Sequence, residues 1–233
     1  MLGLGGAQLY VPIFYWLGMG LKTEAIPLAL LLNFVTQMSA SVTYVRKKLV
    51  DLVAGLPLLI SSAIFPVVGA NFTQRLPIRW IILIIGLILI AVAIQTFCNW
   101  QQSGRRFAQW QKIIIGLAAG SIIGFIVGLI GHGGGSFVVP TLLLLGFAPK
   151  HAAATSSFIC TFSSLSGFLT HASLAGVNWS LYMTGAIVAV VGAQLGSRFM
   201  AAKMNSRMLK RLFGVVLFVI GVQLILNELI GLF

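Results

Sequence analysis

Acidic residues are nearly missing from this chain. Three Asp and Glu stand against 15 Lys and Arg in 233 residues, and only 8% of positions carry a charge. Glu24, Asp51 and Glu228 all fall at the ends of apolar stretches, so the buried carboxylate relay of many proton- or sodium-coupled carriers has no counterpart here. Cysteine is equally scarce. Cys98 and Cys160 form neither a CxxC nor a metal-spaced pair and imply nothing about redox chemistry. A metal-binding centre needs clustered His and carboxylate ligands, which are lacking, and neither a metal nor another cofactor is expected. Long polar segments are absent too. The longest, residues 98–112, reads as a connector, which excludes a separate soluble module. No cleavable signal peptide is expected, because the chain opens on glycines with no basic segment ahead of an apolar run.

What remains is apolar mass. The chain is 59% hydrophobic, and its apolar stretches are too long for a soluble core. Candidate spans are 24–44, 53–72, 78–97, 113–130, 151–171, 179–199 and 207–226, each close to the roughly 20 residues a helix needs to cross hydrocarbon. An all-α polytopic protein of the lipid bilayer follows. The net charge of +12 then records topology rather than a nucleic-acid partner, and none is expected.

The chain also repeats itself. Gly3, Gly5, Gly6, Val11, Pro12, Leu17, Gly18 and Lys22 recur 128 positions later as Gly131, Gly133, Gly134, Val139, Pro140, Leu145, Gly146 and Lys150. Phe34 pairs with Phe162, Arg79 with Arg207 and Gly86 with Gly214 at the same offset. The pattern divides the chain into a first membrane repeat (1–97), a cytoplasmic connector (98–112) and a second membrane repeat (113–233), together one transmembrane domain. Internal repeats of this kind build transporters, with the site where the halves meet.

Charge decides how the short segments 8–17 and 136–145 lie, since ten residues cannot cross alone. If 113–130 and 136–145 form a hairpin that turns at the glycines and leaves on the side it entered, 12 of the 15 basic residues share one side. Only Lys22, Arg75 and Arg79 lie opposite. A single broken crossing would split them nine to six. The Lys/Arg bias therefore favours the hairpin and places the basic side, with the connector, in the cytoplasm. Each half then holds a re-entrant hairpin plus three crossings, an odd number, and the two repeats have inverted topology. The first half begins on its glycines without a leading arm, so about 20 residues of helix are expected to be absent from this numbering, because bare backbone at membrane depth is costly.

The sharpest local pattern is Gly131, His132, Gly133, Gly134, Gly135 and Ser136, ahead of an apolar helical stretch. Glycines turn the backbone and expose N–H groups, and a helix starting there adds a partial positive charge. Gly5, Gly6 and Gln8 supply a second such start. Two positive helix ends near the midplane suit a small anion; equally, the glycines could serve only tight packing of the hairpin. The span after the hairpin is rich in hydroxyls, including Thr155, Ser156 and Thr161, and its repeat mate carries Asn33 and Gln37 one turn apart. These polar groups are candidate substrate-facing side chains, with interhelical bonding as the alternative. His132 is the mid-membrane candidate for proton coupling, whereas His151 and His171 sit at predicted span ends, where interfacial solvation is expected. Gly116, Gly120, Gly124 and Gly128 form a small-xxx-small ladder for helix packing. An enzyme is not expected: His132 to Gly135 resembles an esterase oxyanion loop, but no GxSxG elbow or buried acid accompanies it.

At these motifs the chain resembles the sulfite exporter TauE/SafE family of membrane permeases. The resemblance is clearest in GLIGHGGGSFVVPTLLLLGFAPKHAAATSSF (128–158), with Gly167, His171 and the turn Gly176, Val177, Asn178 and Trp179 following, and in GLGGAQLYVPIFYWLG (3–18). It implies export of a small sulfur oxyanion or organosulfonate, such as sulfite or sulfoacetate, with the anion beside Gly5, Gly6, Gly133, Gly134 and Gly135. The chain departs from the pattern where Ile26, Pro27 and Leu28 replace the Ala-Thr-Ser of the other repeat. The expected mechanism is rocking of one half against the other; an anion channel and a non-transporting membrane scaffold are the alternatives. Gly134→Ala is expected to spare folding and harm transport if the backbone cradles an anion. Oligomeric state is not legible.

Overall fold

The computed structural model describes residues 7–97, 108–131, 133–175, 179–180, 182–188, 214–215 and 217–226. They are helical almost throughout. Helix α1 is Ala7–Trp16; a π-helical turn, Leu21–Ala25, runs into α2, Ile26–Arg46. Then follow α3 (Leu52–Arg75), α4 (Ile78–Phe97), α5 (Gln109–Ile130), α6 (Gly135–Leu144) and α7 (Pro149–Ala175). Helical segments at 182–188 and Leu217–Leu226 lie in the last two predicted spans. Four stretches are long and apolar enough to cross a membrane: Leu21–Arg46, Gly55–Arg75, Gln109–Ile130 and Lys150–Leu174. Large apolar side chains such as Leu87, Ile122, Ile187 and Val188 are exposed on the outside of the bundle, where lipid would cover them. The protein is an all-helical polytopic membrane protein.

Contacts fix the helix directions. Along α5, Gly116 meets Pro57 and Leu58, Gly120 meets Leu58 and Ser61, Gly124 meets Ser62 and Phe65, and Gly128 meets Pro66. The contacts advance in step on both helices, so α3 and α5 are parallel. Thr155 lies beside Gly55 and Gly167 beside Pro66, so α7 runs the same way. Against α7, Asn33 pairs with Ser164 and Ser41 with Thr161, so α2 is antiparallel to it. Helices α5 and α7 therefore start at one end of the bundle, and residues 131–148 must bring the chain back to the end at which α5 began. Arg46, Lys47, Lys48, Lys112 and Lys150 lie at that end, and Lys22 and Arg75 at the other, where Lys22 Nζ bonds the Gln74 and Leu76 carbonyls at 3.3 and 2.6 Å.

The glycine ladder is a backbone contact. A Cβ at Gly124 would stand 2.9 Å from Ser62 Cα, one at Gly128 2.7 Å from the Pro66 carbonyl carbon, and one at Gly69 of α3 2.8 Å from Leu129 N. Without a driving force from water, helices in lipid gain attraction by such close approach. Gly86 and Gly221 do the same between α4 and the Leu217–Leu226 segment, each 3.0–3.1 Å from the other's carbonyl oxygen if given a Cβ.

Helices α1 and α6 are the same element twice. Both have ten residues, at the 128-residue offset, and both enclose a proline. Both end in a left-handed glycine, Gly18 (φ 84°) and Gly146 (φ 91°). The closing bonds also correspond: Met19 N donates to Phe14 O as Phe147 N does to Leu142 O. Where the repeats differ, the backbone differs: the π-helical turn Leu21–Ala25 has its counterpart inside regular α7.

Candidate functional site

The turn between α5 and α6 is built by glycines that no other residue replaces easily. Gly131 ends α5 at φ 72°, and Gly133 and Gly134 follow at φ 74° and 72°, all left-handed. Gly134 is the N-cap of α6. A Cβ there would come within 2.8 Å of Val127 Cγ2 and 3.2 Å of Ile123 Cγ2. The expectation that Gly134→Ala spares folding is therefore corrected: conformation and packing both oppose it.

The carbonyls that α5 leaves open at its C-terminus are met from two other helices. Thr73 Oγ1 donates to the Leu129 carbonyl at 2.8 Å, and His171 Nε2 donates to the Gly128 carbonyl at 2.7 Å. A carbonyl only accepts, so Nε2 carries the hydrogen and Nδ1 is left as a bare acceptor, which has no partner. His171 is fully buried. The interfacial solvation expected for it from the sequence is replaced by a structural bond deep in the bundle.

The α6 N-terminus is buried through Gly133, Gly134, Gly135 and Ser136, and its N-cap residue, Gly134, has no side chain with which to cap it. Gly134 faces Cys160 Sγ on α7 (a Cβ would lie 3.9 Å away). Ser156, Cys160 and Ser164 are spaced four apart and share one stripe of α7, with Ser156 Oγ 3.9 Å from Cys160 Sγ. Ser164 at the end of the stripe accepts from Asn33 Nδ2 at 2.6 Å. The helix end and the Asn33 amide thus address α7 about one turn, or roughly 6 Å, apart.

On α2, Asn33 and Gln37 are both buried, at 0% and 5% exposure. Asn33 Oδ1 and Gln37 Nε2 have no hydrogen-bond partner. One further turn along, Ser41 Oγ donates to Thr161 Oγ1 at 3.2 Å, while Thr161 Oγ1 donates to the Ser157 carbonyl at 2.9 Å. Buried polar atoms are nearly always paired, so two orphans one turn apart on one helix mark the seam between α2 and α7. No Lys, Arg, Asp or Glu is buried among the described residues.

Of the side chains singled out from sequence, Asn33, Gln37, Thr161 and Ser156 lie on the α2–α7 seam or its stripe, and Ser136 opens α6. Thr155 faces elsewhere: its Oγ1 accepts from Asp51 N at 3.1 Å at the start of α3. Gly5, Gly6 and His132 lie outside the described residues, as does the side chain of Gln8. Nothing in the sequence pattern marks Thr73 as a cap, and His171, at the predicted end of span 151–171, is carried inside because α7 runs on to Ala175.

A bundle of membrane-crossing helices enclosing a polar, charge-free seam beside a buried helix end belongs to the class of membrane transporters. The family model "Sulfite exporter TauE/SafE" matches residues 1–224, and the chain belongs to that family. It is 32% identical over 255 residues to the Bacillus subtilis protein named "Probable membrane transporter protein YunE", covering 97% of this chain and 91% of that protein. A Sinorhizobium relative, "Probable membrane transporter protein ORF9", is 27% identical over 80% of this chain and 72% of its own. "Sulfite exporter TauE/SafE family protein 3" of Arabidopsis thaliana is 30% identical over 48% of this chain and 25% of that protein. No solved structure matches at a significant level.

Proposed function

We propose that this membrane transporter is a permease for a small anion, a sulfur oxyanion or organosulfonate such as sulfite or sulfoacetate, exported across a bacterial inner membrane. The observation that carries this reading is the pair of unpartnered amide atoms, Asn33 Oδ1 and Gln37 Nε2, buried beside the start of α6 at Gly134. Backbone N–H groups and the partial positive charge of the helix end would attract the anion, and the amides and hydroxyls of α2 and α7 would orient it. Gly5 and Gly6 would contribute a second helix start from the first repeat, and His132 a protonatable group beside the turn.

The mechanism we favour is alternating access between two inverted repeats. The antiparallel packing of α2 on α7, which the 128-residue offset pairs, and the bond-for-bond likeness of α1 and α6 support that arrangement. Residues 1–97 and 113–233 would rock about the seam, with the connector 98–112 in the cytoplasm beside the basic helix ends.

The test is anion flux into proteoliposomes holding the full-length protein, comparing sulfite, a small organosulfonate, sulfate and chloride. Saturable flux of sulfite or the sulfonate, reduced at least tenfold in folded Asn33→Leu and Gln37→Leu variants, is the expected result. No flux of any of these anions, with or without a proton gradient, overturns the permease reading; single-channel conductance would replace it with a channel.

A further inference from the structure

Resting on that permease reading, the chemistry of the seam selects the sulfur oxyanion over the organosulfonate, whose sulfonate group holds no proton near neutral pH. We infer that the anion travels in a monoprotonated, singly charged form, its hydroxyl donating to Asn33 Oδ1 and its oxygens accepting from Gln37 Nε2.

Two independent observations lead there. The first is the kind of atom left unpaired. One of the two Asn33 amide hydrogens goes to Ser164 Oγ at 2.6 Å and Oδ1 is left without a partner, so the orphan atom Asn33 turns to a ligand is an acceptor; the Gln37 orphan is a donor. With Asn33 at 0% and Gln37 at 5% exposure, neither orphan is satisfied by bulk water. A fully deprotonated oxyanion only accepts, and against Asn33 Oδ1 it would set two lone-pair-bearing oxygens face to face. A hydrogen oxyanion presents both a donor and acceptors and matches the pair. Residues one helical turn apart have Cβ atoms about 5–6 Å from each other, a spacing one small anion can bridge.

The second observation is charge. Desolvation energy grows with the square of the charge, so burying a dianion costs about four times as much as burying a monoanion. A fixed cation would offset that cost, and none is buried among the described residues. Glu24 lies in the π-helical turn before α2 and Arg46 at the end of α2; Asp51 precedes α3 and Arg75 ends it; Lys112 opens α5, and Lys150 and His171 lie toward the two ends of α7. Between them, among the described residues, the titratable side chains packed on α7 are Cys160, beside Ser156, and Tyr182, whose ring lies 6.0 Å from that of Phe168. The partial charge of one helix end and neutral amides suffice for a single negative charge. A proton that rides on the substrate also removes the need for a carboxylate relay, which this chain lacks.

The experiment measures initial flux against pH for two anions, sulfite and selenite, at fixed total concentration in proteoliposomes of the full-length protein. Hydrogenselenite gives up its proton at higher pH than hydrogensulfite. The expected result is that each rate falls about tenfold per pH unit above that anion's own second ionisation, so the selenite profile is displaced to higher pH. Methanesulfonate, singly charged but without a hydroxyl, is expected to be carried more slowly than hydrogensulfite, and Asn33→Val is expected to erase that difference. Profiles with one midpoint common to both anions place the proton on the protein and overturn the inference while leaving the permease intact, as does flux proportional to total anion. Absence of flux for every anion overturns the permease reading and this inference with it.

Discussion

His171 Nε2 lies 2.7 Å from the carbonyl oxygen of Gly128, joining the far end of α7 to the last turn of α5 just before the chain reverses. Thr73 of α3 holds the neighbouring Leu129 carbonyl, and His171 is the donor that α7 adds to the same helix end. A carbonyl at a helix C-terminus inside a bilayer has no water to turn to, so this donor is part of what lets the chain turn there.

His171→Ala leaves the Gly128 carbonyl with no donor from α7 and is expected to lower stability by about 1–3 kcal/mol. Thr73 Oγ1, 3.5 Å from the same oxygen, is placed to compensate only weakly. Thermal unfolding of the purified protein in detergent measures the loss. His171→Gln, which keeps an N–H donor, is expected to recover a good part of it. Equal stability of His171→Ala and the wild type would show that the bond holds nothing.

The glycine ladder is graded, and the grading is testable. A Cβ at Gly116 would meet Pro57 Cβ at 3.3 Å, a contact that a small shift between the helices relieves; one at Gly128 would enter the Pro66 carbonyl group, its carbon at 2.7 Å. Gly128→Ala is expected to destabilise by about 1–3 kcal/mol through overpacking. Gly116→Ala is expected to be neutral or slightly stabilising, since alanine favours a helix over glycine by about 1 kcal/mol. Paired unfolding curves decide, and the reverse order would refute the parallel close approach of α3 and α5.

Much of this was written in the chain. The predicted span 78–97 is α4 to the residue, and 113–130 lies wholly within α5, because apolar runs bounded by charge have few other outcomes in lipid. The 128-residue repeat found α1 and α6 from glycine and proline alone. What sequence could not supply was which partner each polar group takes. Thr155 and Thr161 stand six apart on one helix, yet Thr155 serves the start of α3 and Thr161 serves α2. His171 read as an interfacial residue because span ends are set only to within a turn; α7 runs on to Ala175 and carries it inside. Nor could periodicity alone tell a glycine that must turn from one that merely packs.

Gly146 and Gly134 separate those two demands. Both have positive φ, but a Cβ at Gly146 finds nothing within 4 Å, whereas one at Gly134 meets Val127 and Ile123. Gly146→Ala is expected to cost only the conformational penalty, roughly 1 kcal/mol. Gly134→Ala adds the clash to that penalty and is expected to reduce the yield of folded protein by size-exclusion chromatography. Equal behaviour of the two variants would mean that Val127 and Ile123 move aside freely.

Gln37 gives the clearest way to tell a transport site from interhelical bonding. A buried amide nitrogen without a partner destabilises the fold that contains it, by roughly 1–3 kcal/mol for a neutral group. If the seam were only structural, replacing Gln37 would either remove an interaction or change little, and stability would not rise. The geometry predicts the opposite. Gln37→Met, similar in volume and free of the orphan N–H, is expected to raise the unfolding temperature while reducing anion flux at least tenfold, because the atom that burdens the empty seam is the one a substrate would use. Thermal unfolding and proteoliposome flux, measured on the same preparation, read the two effects separately. A variant that gains stability and keeps full flux would move the site away from Gln37. One that loses stability would show that its nitrogen is bonded in the folded protein after all.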